Sequence, residues 1–173
     1  MHYIVAFFNA PLFIIIGGIS TLVIVASFFY TIYLIVQGVI PILFKLGTGL
    51  VRGKIAIFAA SDTYDSLKSM LVDSEIFKDK NIIKINYDDL KKAETANVFL
   101  VHWKDYHQQI EQILALKKDQ TALIVYAPQN EGPISPDILN KVTLQRNTVL
   151  ANFRGRLLND ILTSLMVISY ERK

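Results

Sequence analysis

Lys54–Ala60 reads KIAIFAA, and runs of the same kind return at 81–87 (NIIKINY), 97–103 (NVFLVHW) and 121–127 (TALIVYA). A shorter one follows at 147–152 (NTVLAN). These segments are apolar on successive residues rather than on alternate ones. That is the pattern of strands covered on both faces, as in a parallel sheet. Between them the apolar residues recur at helical spacing. Asp62-Thr63 caps an expected helix to about Phe77 with Leu67, Met70, Leu71 and Ile76 on one side. A short helix is expected at Asp88–Glu94, and a longer one at Tyr106–Lys118 carries Ile110, Ile113, Leu114 and Leu116. After the Pro/Gly-rich stretch Pro128–Pro136 come expected helices at Asp137–Leu144 and Gly155–Ser169.

Strands alternating with helices predict an α/β domain, a flavodoxin- or Rossmann-like three-layer sandwich around a mainly parallel five-stranded sheet. Such sheets bind ligands beyond the carboxyl ends of their strands, near a change of strand order. Four segments follow strands and are the places to expect a site: Ala60–Tyr64, Trp103–His107, Ala127–Pro133 and Asn152–Arg156.

Outside this domain the composition changes abruptly. Met1–Phe44 contains no Lys, Arg, Asp or Glu, and Lys45 opens the polar part. So long an uncharged stretch predicts a transmembrane segment at 1–45, too long for the apolar core of a cleaved signal peptide and without its basic start. A glycine-rich connector is expected at 46–53 and the α/β domain at 54–173. Lys45, Arg52 and Lys54 place the C-terminal domain in the cytoplasm, by the positive-inside rule, at a bacterial inner membrane. One long helix is expected, starting near Asn9-Ala10-Pro11, running to about Gly38, and bent or broken by Pro41. Tyr3, Phe7 and Phe8 would then anchor the outer interface. The alternative is two spans turning at Gly17-Gly18.

Within that helix Gly17, Ser20, Ile24, Ser27, Thr31, Leu34 and Gly38 recur every three or four residues. Small and hydroxylated residues let helices approach in lipid, so this stripe predicts a homo-oligomer, of which a tetramer is one form. The same stripe is a packing seam or the lining of a narrow pore, since both use small residues.

The remaining chemistry is bounded mostly by what is absent. The 173 residues include no Cys, which removes disulfides and thiol nucleophiles, and a net charge of +3 gives no reason to expect duplex nucleic acid. His2, His102 and His107 have no metal-ligand spacing, so no metal is expected, and the last two read as surface residues. Neither a phosphate loop, a dinucleotide-binding fingerprint nor a nucleophile elbow is present, so no cofactor and no catalytic residue is assigned. A positive candidate is Asn152-Phe153-Arg154-Gly155-Arg156, where a strand feeds a helix. Asn152, Arg154, Gly155 and Arg156 then form an anion site at the helix N-terminus, unless the arginines simply pair with nearby acids such as Asp160 or Glu171. Ser61, Asp62 and Thr63 offer hydroxyls and backbone to the rest of a nucleotide.

The layout of membrane helix, connector and compact α/β head resembles the membrane effectors of prokaryotic antiviral defence. KIAIFAASDTYDSL is similar to the first strand and hydroxyl-rich loop of CARF domains. That resemblance implies a cyclic nucleotide ligand that gates a pore or disrupts the bilayer; an inhibitory partner protein is the other possible source of control. NVFLVHWKDYHQQIEQIL is similar to the third strand and following helix of TIR domains, which implies NAD hydrolysis with Glu111 roughly at the place of the catalytic glutamate. A non-catalytic, membrane-anchored interaction module is the third possibility.

Overall fold

The computed structural model describes residues 11–171, and the chain divides into two compact units meeting at Phe44/Lys45. The expected anchors Tyr3, Phe7 and Phe8 lie outside the described residues.

The described residues of the first unit belong to a single helix, α1 (Pro11–Arg52). Its backbone is helical through Gly17-Gly18, so the turn that a two-span hairpin needs is not made there. It also passes the expected end. The helix continues through Pro41 and takes in most of the stretch read as a connector, leaving only Gly53 and Lys54 before the first strand. Proline removes one backbone donor and each glycine costs about 1 kcal/mol in a helix, but neither forbids one whose neighbours propagate it. Ile15–Pro41, 27 residues, is long and apolar enough to cross a membrane. At 1.5 Å per residue that stretch spans about 40 Å against a hydrocarbon core of roughly 30 Å. Leu22, Ile24 and Phe28 are among the large side chains exposed along it.

The second unit is the α/β head. Its elements are β1 (Ile55–Phe58), α2 (Ser61–Asp73), β2 (Ile82–Lys84), β3 (Val98–His102), α3 (Trp103–Tyr106), α4 (Ile110–Leu116), β4 (Ala122–Tyr126), α5 (Pro136–Thr143), β5 (Thr148–Ala151) and α6 (Arg154–Glu171). Short 3-10 turns cover Leu90–Thr95 and Gln129–Glu131. The five strands pair in the order β2-β1-β3-β4-β5, every pair parallel, which makes the fold flavodoxin-like.

Two-sided burial explains the unbroken apolar runs. Ile55 and Ile57, Val98 and Leu100, Ala122 and Ile124 point to one face, under Leu67 and Leu71 of α2 and Leu157, Ile161 and Leu165 of α6. Ala56 and Phe58, Phe99 and Val101, Leu123 and Val125 point to the other, under Tyr106, Ile110, Ile113 and Val142. On that second face Phe58 meets Phe99 and Tyr106 edge-on, with centroids 5.4 and 5.7 Å apart. The Lys54 amide donates to the Asn97 side chain, and the Asn97 amide donates back to the Lys54 carbonyl, fixing the register where β1 and β3 begin.

Two local details differ from the sequence reading. The segment 106–118 is interrupted by a 3-10 turn at His107–Gln109, so that Ile110 and Ile113 are buried while Leu114 and Leu116 are only partly covered. Helix α2 starts at Ser61 with Ala60 at its cap position and no side-chain cap, so Asp62 sits inside the first turn rather than capping it. A carboxylate there still faces the positive end of the helix.

Candidate functional site

The chain leaves β1 toward β2 on one side and returns to β3 on the other. The switch of strand order therefore falls between β1 and β3. Beyond the carboxyl ends of these two strands the connecting loops diverge, which opens a crevice.

His102, the last residue of β3, is the centre of this crevice and is 2% exposed. The expectation that it lies on the surface is thus overturned. Its neighbour in the sheet is Tyr126, and Asp105 in the next turn gives its ring a polar partner inside the fold. Asp105 Oδ2 lies 2.7 Å from His102 Nδ1 and also accepts the Ala60 amide at 2.7 Å. One carboxylate oxygen thereby ties the end of β3 to the end of β1. Tyr87 adds a bond to the Asp105 carbonyl at 3.1 Å.

The other ring nitrogen, Nε2, is 2.8 Å from Glu131 Oε2. That oxygen is covered and has no hydrogen-bond partner, so the contact is a close approach that misses hydrogen-bond geometry. An ionised carboxylate only accepts, and a ring flanked by two of them is satisfied when both nitrogens carry protons.

Around the Nε2 side lies a cleft of about 260 Å³ lined by Asp62, Thr63, Ser66, Leu67, His102, Tyr126, Pro128, Glu131 and Arg154. Arg154, the first residue of α6, reaches across to donate to the Ser66 carbonyl at 2.9 Å. The Tyr126 phenol is pushed above its ordinary pKa, first by burial; Arg154 opposes that rise and Glu131 adds to it. Pro128 is also a wall of a second cleft, about 470 Å³, whose lining includes Pro133, Ile134, Leu139 and Leu150 with the amides of Gln129 and Asn152. The first compartment is polar and charged, the second largely apolar.

Of the residues expected at a site, Asp62, Thr63 and Arg154 come together in the polar cleft and Asn152 lines its neighbour. Ser61, Gly155 and Arg156 line neither. Gly155 has open space where a Cβ would stand, and Arg156 faces Asp160 with 3.6 Å between them. His102 and Glu131 were not chosen from the sequence. The signal available for His102 was an acid three residues on, across a strand-to-helix junction. Glu111 is exposed on α4 and paired with Lys141 of α5, which holds its carboxyl below the usual range by hydrogen bond and charge. It lines neither cleft. Among the described residues no group of His, Cys, Asp and Glu is placed to hold a metal ion.

Fold and site define a class: a flavodoxin-like head with a charged crevice at its switch point, in a chain that also carries one helix long and apolar enough to cross a membrane. No protein-family model, curated protein or solved structure matches the chain.

Proposed function

We propose that this protein is an oligomeric membrane effector whose cytosolic head senses a nucleotide-class ligand and whose helix carries the response, as a pore or as a disruption of the bilayer. The observation that carries the reading is the pair of clefts sharing Pro128 beyond the strand ends. A nucleotide has a polar half and a flat, mostly apolar half, and the two compartments divide in the same way. Phosphate takes Arg154 and the His102 side, ribose hydroxyls take Asp62 and Thr63, and the base lies between Pro128 and Leu150 with Asn152 at its edge. Nothing in this assignment calls for bond breaking, so the head is read as a sensor rather than an enzyme. The TIR-like alternative loses ground because Glu111 stands outside both clefts and is engaged by Lys141.

Membrane, oligomer and ligand belong to this proposal together. The small-residue stripe on α1 supplies the association surface. A bacterial inner-membrane location with the head in the cytoplasm follows from the basic flank at Lys45, Arg52 and Lys54, and a role in antiviral defence follows from the architectural resemblance. Ligand shifts the assembly only through different affinity for its two states. The test is full-length protein in liposomes, with ion leak recorded against a panel of cyclic and linear nucleotides. Leak switched by one of them supports the reading. A leak indifferent to all of them moves control to another partner.

A further inference from the structure

Glu131 extends from the loop between β4 and α5 into the polar cleft, and its charge is poorly placed there. Its Oε2 is desolvated, lies against His102 Nε2 at 2.8 Å, and still lacks a hydrogen bond. A covered acceptor without a donor is unfavourable wherever a better arrangement exists. The same cleft holds the Arg154 guanidinium. Arg154 donates to a neutral carbonyl, that of Ser66, and among the described residues it forms no ion pair with Asp62 or Glu131. The cleft thus holds a guanidinium and an imidazole edge, with an internal carboxylate that hydrogen-bonds to neither through its covered oxygen. Glu131 is followed by Gly132 at φ +98°, a left-handed conformation that suits glycine, in the loop that forms a wall of both clefts.

We propose that Glu131 is a tethered competitor: it occupies the position on His102 that a phosphoryl group of the ligand takes, and binding expels it. This inference rests on the ligand-sensing reading above. A phosphoryl group has three acceptor oxygens, enough to meet His102 Nε2–H and the Arg154 guanidinium together, which one misaligned carboxylate does not. The expelled Glu131 takes the wall around Pro128 with it. Occupation of the polar cleft and reshaping of the apolar one become a single event.

The test uses full-length protein in nanodiscs and inorganic phosphate as the probe, read by fluorescence of Trp103, the sole tryptophan, which follows His102 directly. Glu131→Gln keeps the shape and removes the charge; Glu131→Ala removes both. Each is expected to bind phosphate on the order of tenfold more tightly than the parent, and adding His102→Asn to Glu131→Gln is expected to abolish that gain. The side-chain NMR signals of His102 should shift on Glu131→Gln alone, as they do when phosphate binds the parent. Equal affinity in parent and both variants overturns the competitor role and leaves the sensor reading standing. Weaker binding in the variants overturns it also, because Glu131 then helps to hold the ligand. No phosphate binding by any of them overturns it as well, and the nucleotide-switched leak then judges the sensor reading separately.

Discussion

The carboxylate of Asp105 binds His102 Nδ1 and the Ala60 amide through the same oxygen, each at 2.7 Å. The contact closes the base of the crevice, because Ala60 ends the β1 segment and His102 ends β3. It also fixes which way the imidazole faces, leaving Nε2 for the cleft. Orientation of a buried polar side chain by a fixed, part-buried partner is what distinguishes a built site from an incidental surface histidine.

Asp105→Ala leaves the Ala60 amide and the Nδ1 of the buried His102 without this partner. The head should lose about 2–4 kcal/mol of stability, measured by denaturant unfolding of the full chain in detergent with Trp103 as the probe. Asp105→Asn retains one acceptor and should lose less. Equal losses for the two would mean that the hydrogen bonds are not what holds the crevice.

The two arginines once grouped together should separate. Arg154→Ala is expected to lower nucleotide response at least tenfold, on the scale of a charged hydrogen bond removed from a ligand, while Arg156→Ala leaves it within about twofold because its side chain faces Asp160 outside the clefts. Dose–response curves for leak in liposomes give both numbers. A loss with Arg156→Ala alone would move the phosphate site to the α6 surface.

Tyr106 is 1% exposed and its hydroxyl donates to the Ile85 carbonyl. Burial, with smaller contributions from Tyr87 and Asp105, pushes its pKa up to about 12 from the ordinary 10.0. The unfolded chain therefore releases this proton first as pH rises. The stability linked to it is complete below pH 10 and is lost as pH climbs through the folded value, by on the order of 1 kcal/mol per pH unit in between. Tyr106→Phe should flatten that alkaline decline in a series of unfolding curves. An unchanged slope would assign the decline to other groups.

On α1 the Thr31 hydroxyl donates to the Ser27 carbonyl one turn back at 2.8 Å, so its proton is used inside its own helix. What the stripe offers a neighbour is chiefly smallness. Ser27→Leu should therefore weaken association more than Thr31→Ser, by about 1 kcal/mol, as measured by subunit counting in detergent over a dilution series. No change with Ser27→Leu would place the contact on another side of the helix.

The sheet was legible because strands covered on both faces have no polar alternation to hide in; Ile55–Phe58, Val98–His102 and Ala122–Tyr126 lie almost where the apolar runs put them. The end of α1 was not, because Pro41, Gly47 and Gly49 carry helix-breaking tendencies that a continuous helix overrides. At the site, Asp62, Thr63 and Arg154 were found by position after a strand or before a helix, which is a local property. Glu131 and His102 were missed because only the sheet order brings the β4 loop over the end of β3. The segment Ala127–Pro133 was marked by following a strand, but nothing local singled out Glu131 within it. Ser61 and Gly155 were chosen for residue type, and the path of the backbone takes them away from the clefts.

The most direct measurement is ion leak from liposomes holding full-length protein, with nucleotides added on the side of the head. The account predicts a leak switched by one nucleotide, abolished by Arg154→Ala and shifted to lower ligand concentration by Glu131→Gln. A bilayer that stays tight with every nucleotide, or a leak that ignores them and both substitutions, would contradict it.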